Sequence, residues 1–402
     1  MPLPRVLEPL RHRDFRLLWT GQTFTLFGSF ISNVAFPFQV LQLGGGATEL
    51  ATLVAVFAAA SLLFLLVGGA VADRFPRRTL IVATEALSGV LMSIVAVLGF
   101  SGRLEIWHLF VVYGWAGIAV AFSMPALGAI VPELVPAEIL AAGNAVQGLS
   151  RQAGRIGGPL VGGILVATAG PAGAFAADAL SFFLSAGAVA LTKGRAAAEH
   201  HGESIVAQIR EGLTFVFSVE WLWVTIFGFS IIVAGIIGSY AVALPLLVTQ
   251  VLHGDSVTFG IVTAAFGIGE VAGAPWIAQV KIRRVGIAMY LFAALSGVGF
   301  LIYGLVVNLP GAILAGVVNG VAFTCFGVLW QTALQVHVPR RLLGRVTSVD
   351  WFGGSLLAPI APAGAALVVQ QVGPAAVFVV TGLGTIVLCL AALLLPSIRE
   401  LE

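Results

Sequence analysis

Five charged side chains lie inside long apolar runs of the sequence: Arg151, Arg155, Asp178, Glu270 and Asp350. An ionisable group inside a hydrocarbon layer costs several kcal/mol, so such groups commonly form ion pairs, carry protons or bind ligands. We therefore expect Glu270 to carry a proton, with Asp350 and then Asp178 as the next candidates. The two arginines are expected to bind an anionic group or to pair with these acids.

The elements that position these residues are predicted to be membrane-spanning helices. The chain has 402 residues, of which 59% are hydrophobic and 9% charged, whereas soluble domains carry about 25% charged residues. Breaking the chain at charged clusters and Gly/Pro turns gives twelve apolar segments, each long enough to cross a hydrocarbon core of about 30 Å. Their approximate limits are 15–42, 49–72, 79–100, 106–131, 140–168, 172–192, 220–250, 257–280, 285–307, 309–335, 344–371 and 374–395. The sequence thus predicts an all-α polytopic membrane protein with twelve transmembrane helices.

The placement of Lys and Arg predicts the orientation of these helices. Nearly all the basic residues outside the segments fall on the side of the N-terminus, and Arg103 is the exception. Since positive loops stay in the cytoplasm, we expect both termini to be cytoplasmic in a multi-pass protein of the cell membrane. The net charge of +2 gives no reason to expect nucleic-acid binding.

The two halves of the sequence resemble each other. An offset of 203 residues places VPAEILAAGNAV (135–146) over VPRRLLGRVTSV (338–349). The same offset also aligns prolines, Gly-Pro pairs and phenylalanines: Pro159 with Pro362, Gly170-Pro171 with Gly373-Pro374, and Phe175 with Phe378. This pattern predicts two parallel six-helix repeats, with a binding site between them near the middle of the membrane. The expected domains are 1–192, a cytoplasmic linker with an amphipathic helix at 193–219, and 220–402.

A charged loop, GGAVADRFPRR (68–78), separates the second and third apolar segments. Its pattern Gly69-x-x-x-Asp73-Arg74-x-x-Arg77-Arg78 resembles the loop signature of the major facilitator superfamily of secondary transporters, although Pro76 replaces the usual small residue. The resemblance implies a conformational gate, in which Asp73 meets the start of segment 11 near Arg345. The alternative, that Arg77 and Arg78 are ordinary positive anchors, stays open.

A glycine pattern in the fifth segment carries a second resemblance. Gly154-x-x-x-Gly158-Pro159-x-x-Gly162-Gly163 is similar to the motif that marks proton-exchanging exporters of this superfamily, with Ala145 in place of the leading glycine. Glycines at this spacing let two helices approach closely, so simple helix packing is the alternative interpretation.

The whole chain resembles the branch of bacterial macrolide and siderophore exporters. The resemblance implies a monomer that exports lipophilic or amphipathic small molecules in exchange for protons by alternating access. An uptake symporter, a lysolipid flippase and a non-transporting receptor or assembly factor are the alternatives. The chain contains no Gly-x-x-x-x-Gly-Lys-Ser/Thr, His-Glu-x-x-His or Cys-x-x-Cys stretch, so we expect no enzyme activity, no cofactor and no metal site.

The expected substrate cavity is aromatic and weakly polar. Its proposed lining residues lie beside helix-breaking prolines or in segments 10 and 11: Phe36, Gln39, Tyr240, Trp330, Gln331 and Trp351. We expect Arg155 and Glu270 to meet in this cavity, because they lie at similar depths in segments 5 and 8, which are neighbours in the superfamily. Arg151 is the expected partner of Asp350 or of an anionic substrate. Glu85 lies nearer the membrane surface, and we expect it to pair with Arg77 or Arg78.

Overall fold

The computed structural model describes residues 5–193 and 205–401, and within these ranges the protein is helical without a β-strand. The side chains of residues 5, 66–70, 72–74, 129 and 205–209 lie outside the description. A chain that crosses a membrane must satisfy its backbone hydrogen bonds internally, and helices do so within one segment. The predicted all-α class is confirmed.

Apart from the short 3-10 helices Arg5–Arg11 and Ala137–Ile139, the described residues form five helices in the first half of the chain and nine in the second. The helices of the first half are α1 (Arg13–Gln42), α2 (Ala47–Arg74), α3 (Arg77–Phe100), α4 (Ile106–Leu134) and α5 (Leu140–Ala190). Those of the second half are α6 (Ile205–Ser218), α7 (Glu220–Val251), α8 (Ser256–Gln279), α9 (Val285–Leu305), α10 (Leu309–His337), α11 (Leu343–Ser355), α12 (Ala361–Val372), α13 (Pro374–Ala392) and α14 (Pro396–Arg399).

Ten of the described helices are long and apolar enough to cross a membrane. The 51-residue helix α5 contains a non-helical residue, Gly170, and therefore consists of two helical segments. The short helices α11 and α12 lie on either side of residues 356–360, within the predicted eleventh segment. These two interruptions make the described helices consistent with the predicted twelve.

The internal repeat is visible in the backbone. Gly170 and Gly373, which the offset of 203 residues aligns, both have a positive φ, of 70° and 98°, and each precedes the proline of the next helix. Only glycine adopts this conformation without steric cost. The aligned Phe175 and Phe378 both have no exposed surface. The two halves thus break and repack their helices at equivalent positions.

The chain forms two compact units. Unit 1 consists of Met1–His200 with Asp255–Ala264, and unit 2 of His201–Gly254 with Ala265–Glu402. Unit 1 has a core of apolar side chains that includes Phe15, Leu18 and Ile81. The core of unit 2 includes several aromatic side chains, among them Trp221, Tyr290 and Trp330.

The glycine motif packs helix α5 against two neighbours in unit 1. A Cβ atom on Gly158 would overlap Phe30 of α1, and one on Gly162 would lie 3.0 Å from the Cα atom of Ile31. A Cβ atom on Gly163 would lie 2.5 Å from the carbonyl oxygen of Ser256, at the start of α8. Gly154 lies against the Phe30 ring, and the motif's Pro159 is buried.

Asp255 directly precedes the first residue of helix α8, the helix that carries Glu270. The amide and the hydroxyl of Thr258 each donate a hydrogen bond of 2.9 Å to Oδ1 of Asp255. A carboxylate at this position satisfies an otherwise unpaired amide and interacts favourably with the helix dipole. These donors, the Thr258 amide above all, hold the pKa of Asp255 below its ordinary value.

Replacing Gly163 with alanine should destabilise unit 1 by about 1–3 kcal/mol, because the new methyl group overlaps backbone atoms that do not move freely. Gly148→Ala on the same helix is the matched control, since a Cβ atom there meets no atom within 4 Å. Thermal unfolding of the purified protein in detergent measures both effects. Equal midpoints for Gly163→Ala and the wild type would contradict the close contact.

Replacing Asp255 with alanine should cost about 1 kcal/mol at neutral pH, because the cap of α8 is lost. Asp255→Asn keeps an acceptor and loses only the charge, so its cost should be smaller. Since folding lowers the pKa of Asp255, its charge stabilises the fold above the unfolded value of about 3.9 and less as pH falls through the folded value. The stability difference between the wild type and Asp255→Asn should therefore shrink in acid, and a difference that grew there would contradict the cap.

Candidate functional site

Unit 2 contains an open cavity of about 500 Å³ between one helix face and a buried carboxyl group. Its lining residues are Glu270 of α8 and eight residues of α10: Phe323, Thr324, Gly327, Val328, Trp330, Gln331, Thr332 and Gln335. Three of the residues that the sequence predicted for the site, Glu270, Trp330 and Gln331, therefore share one cavity. The lining combines aromatic and aliphatic surface with hydroxyl and amide groups and one acid.

Glycines place the carboxyl group of Glu270 beside α10. A Cβ atom on Gly269 would overlap the carbonyl oxygen of Val317, and one on Gly320 would overlap that of Phe266. Close approach of two helices at small residues is common in membranes. Glu270 follows Gly269 directly and is 6% exposed, so the crossing of α8 and α10 determines where the acid lies.

Trp330 connects the cavity to Asp350. Its indole N–H donates a hydrogen bond of 3.0 Å to Oδ2 of Asp350 on α11. The ring of Trp330 also lies nearly parallel to Phe326, with ring centroids 6.4 Å apart, and meets the edge of Trp221 at 6.0 Å. The indole is therefore held in place by aromatic contacts while it supplies a donor to the acid. Trp351, which follows Asp350, is 68% exposed and does not line the cavity.

Tyr240 of α7 lies in an aromatic cluster of unit 2. Its ring meets Phe266, Phe300 and Tyr303 edge-on, with centroid distances of 5.6, 5.8 and 6.2 Å. Phe266, one of these three partners, lies four residues, or about one helical turn, before Glu270 on α8. A fourth predicted residue thus belongs to the surroundings of Glu270 without lining the cavity itself.

In unit 1 the predicted substrate residues Phe36 and Gln39 and the predicted proton carrier Asp178 lie in the interior. Phe36 and Gln39 of α1 are each 6% exposed, and the Phe36 ring contacts Tyr113 at 4.5 Å and Phe175 at 4.8 Å between centroids. Asp178 is 3% exposed and accepts a hydrogen bond of 2.6 Å from the Ser32 hydroxyl. These three residues form part of the helix packing of unit 1.

Arg151 is exposed on α5 and Arg155, one turn further along, is half-buried. Both belong to unit 1, whereas Glu270 and Asp350 belong to unit 2. The expected pairs, Arg155 with Glu270 and Arg151 with Asp350, remain predictions. No group of three metal-binding side chains comes together in the part of the chain that the structure describes.

The expected pairing of Glu85 with Arg77 or Arg78 is wrong. Glu85 is 6% exposed, and its Oε1 atom accepts a hydrogen bond of 2.6 Å from the side-chain amide of Gln22. Glu85 lies eight residues beyond Arg77, or about 12 Å along α3, and its side chain is buried in unit 1. Polar residues in the first and sixth apolar segments, such as Gln22, were the sequence signal for this buried acid.

Arg77 and Arg78 instead bind groups at the end of unit 1. Arg77 forms a salt bridge with Glu133, and Arg78 donates a hydrogen bond to the carbonyl oxygen of Ala190. Both arginines line a cavity of about 250 Å³. Its other lining residues are Asp14, three residues of α4, Thr192 and Lys193. The loop signature thus ties α3 to α4 and α5.

The remaining predicted gate residues are described only in part. The side chains of Gly69, Asp73 and Arg74 lie outside the described residues, so the contact expected for Asp73 remains a prediction. Arg345 forms a salt bridge with Glu211 of α6, and Arg341 pairs with the same carboxylate at 2.9 Å. The start of α11 is thus bound to α6 within unit 2.

Comparison with known proteins assigns the chain to a family. Residues 5–356 match the family described as "Transmembrane secretion effector". The chain is 28% identical to the multidrug efflux pump Tap of Mycobacterium tuberculosis, with 93% of this chain and 91% of that protein covered. It is 24% identical to the enterobactin exporter EntS of Citrobacter koseri, with 96% and 92% covered. The fold is similar to that of a POT family transporter crystallised with 5-aminolevulinic acid, at a TM-score of 0.74 and 14% identity over 95% and 96% of the two chains.

The bond between Trp330 and Asp350 should be measurable by a double-mutant cycle. Trp330→Phe removes the donor but keeps an aromatic ring, and Asp350→Ala removes the acceptor. Since hydrogen bonds to charged groups contribute about 1.5–3 kcal/mol, the two losses of stability should be non-additive by a similar amount. Unfolding of the four proteins in detergent gives the coupling energy, and additive losses would show that the bond contributes nothing.

Proposed function

The chain belongs to the transmembrane secretion effector family of the major facilitator superfamily, and we propose that it exports bulky lipophilic or amphipathic small molecules in exchange for protons. The observation that carries this proposal is the cavity of unit 2, where the buried acid Glu270 lies beside aromatic and amide side chains. The direction of transport is supported by its relatives, which are named as a multidrug efflux pump and an enterobactin exporter.

The size and lining of the cavity favour a bulky substrate. Its volume of about 500 Å³ lies within the range of about 300–1,000 Å³ that drug-sized ligands occupy. Phe323 and Trp330 offer flat apolar surface, whereas Gln331 and Gln335 offer a small number of hydrogen bonds. A sugar needs many more polar partners than this lining provides, so an amphipathic compound fits better. We propose that Phe36, Gln39, Tyr240 and Trp351 contribute to substrate selection through the helices that carry them.

Glu270 is the proposed proton carrier, with Asp350 and Asp178 as the second and third candidates. Burial favours the neutral form of a carboxyl group, and a nearby cation favours its charged form. In our proposal Arg155 approaches Glu270 in one conformation and leaves it in another, so that the acid alternately releases and binds a proton. Arg151 pairs in the same conformation-dependent way with Asp350 or with an anionic group of the substrate.

Alternating access requires two bundles that move relative to each other. We propose that residues 1–192 and 220–402 are these bundles and that 193–219 is their cytoplasmic linker. The gate consists of the loop signature and Arg345, and the glycine motif of α5 holds the packing of unit 1 during the movement. The protein works as a monomer in the cell membrane, with both termini in the cytoplasm.

Glu270→Gln should abolish transport driven by a pH gradient, because glutamine neither binds nor releases a proton. The binding of substrate should change by less than about threefold, or under 1 kcal/mol, since the side chain keeps its size. Glu138→Gln is the matched control, because Glu138 is exposed. Purified protein in liposomes with an imposed pH gradient and a fluorescent lipophilic compound gives both quantities.

Two results would contradict this proposal in different ways. Transport by Glu270→Gln at the wild-type rate would remove Glu270 from proton coupling while leaving export intact. Equal accumulation of the compound in cells with and without the protein would contradict export itself. Adding an uncoupler to the cells tests whether export depends on protons, because a proton-driven exporter stops when the gradient is lost.

A further inference from the structure

A row of polar side chains runs through the interior of unit 1, between α1, α3 and the second segment of α5. We call it the polar seam, and its members are Gln22, Ser32, Glu85, Asp178, Ser181 and Ser185. Two of the six are acids, and both have at most 6% of their surface exposed. The proposed function uses Asp178 only as its third proton candidate and does not use Glu85.

Glu85 occupies one end of the polar seam. The amide of Gln22 donates to Oε1 of Glu85 at 2.6 Å, and the same nitrogen lies 3.4 Å from Oγ of Ser185. The second carboxyl oxygen, Oε2, is buried and accepts no hydrogen bond from a described residue. A charged carboxylate would carry half of its charge on this atom, whereas a neutral acid would place its proton there.

Asp178 occupies the other end of the polar seam. The hydroxyl of Ser32 donates to Oδ2 of Asp178, and the hydroxyl of Ser181 lies 3.2 Å from Oδ1. The backbone of α1 is packed directly on this row, since a Cβ atom on Gly28 would overlap Ser181 and one on Gly21 would lie 2.9 Å from Oγ of Ser185. The seam is therefore tightly enclosed, and water has little room to hydrate its acids.

No cation pairs with Glu85 among the described residues. On α3, Arg77 binds Glu133 of α4 and Arg78 binds the carbonyl oxygen of Ala190. On α1, the guanidinium of Arg16 donates to the carbonyl oxygen of Leu10 at 3.3 Å. The second segment of α5 contains one titratable residue, Asp178, which is an acid and not a cation. It lies seven residues, or about 10 Å along the helix, from Ser185. The surroundings of Glu85 thus supply neutral donors and a second carboxyl group.

We propose that Glu85 is a proton-binding site of unit 1, additional to Glu270 of unit 2. The proton adds to Oε2 and converts the carboxylate into a carboxylic acid, while Oε1 keeps its hydrogen bond from Gln22. The enclosure drives this step, because an unpaired charge in an apolar bundle costs far more than a neutral acid. The role of the site in transport rests on the proposed function, but proton binding itself does not.

Infrared difference spectroscopy of the purified protein during a pH titration tests this site directly. The wild type should show a carbonyl band of a buried protonated carboxylic acid that disappears as the pH rises. Glu85→Gln should remove this band, and Asp178→Asn identifies any band that belongs to Asp178. Glu133→Gln is the matched control, because Glu133 lies outside the polar seam and forms a salt bridge with Arg77.

Glu85→Asp guards against a variant that fails to fold, since it keeps a carboxyl group and should shift the band rather than remove it. If Glu85→Gln and the wild type give the same carbonyl bands at every pH, the site does not bind a proton and the inference is overturned. Transport is measured separately in liposomes. A band that depends on Glu85 in a protein that moves no substrate would refute the proposed function and leave the proton site standing.

Discussion

The cost of placing a carboxyl group among apolar helices constrains most of the polar structure of this protein. Each of three acids on the apolar helices receives a hydrogen bond from a neutral donor: Ser32 for Asp178, Trp330 for Asp350 and Gln22 for Glu85. A cation would stabilise only the charged acid, whereas a hydroxyl, an indole or an amide can accompany either protonation state. These hydrogen bonds between helices are therefore compatible with either protonation state of each acid.

Close helix contacts at glycine determine where these acids lie. Gly269 and Gly320 bring α8 onto α10 beside Glu270, and Gly21 and Gly28 bring α1 onto the serines of α5. Small residues replace the hydrophobic effect as a source of association in a membrane, because tight packing gains dispersion energy that lipid tails do not match. Helices in contact this close leave no space for water between their backbones at the glycines.

The two halves share a backbone plan but differ in chemistry. The offset of 203 residues that aligns the breaks at Gly170 and Gly373 places Thr381 where unit 1 has Asp178. Thr381 accepts a hydrogen bond of 3.1 Å from Ser239 of α7, as Asp178 does from Ser32 of α1. Thus Ser32 of α1 binds the second segment of α5 and Ser239 of α7 binds α13, but only the unit 1 position is an acid. In unit 2 the acid Glu270 lies on α8, beside an open cavity.

The sequence by itself determined the helical class, the repeat, the family resemblance and the identity of most buried charges, because hydropathy, glycine spacing and charge in apolar runs are local properties. It also indicated Glu270, Trp330 and Gln331, which one cavity of unit 2 brings together. Only the tertiary structure decided which donors reach each acid. Glu85 was expected near Arg77 and Arg78 and lies instead against Gln22, since α1 and α3 meet through residues 63 positions apart. Hydrogen bonds between separate helices depend on their rotation and crossing, and no local pattern in the chain specifies these.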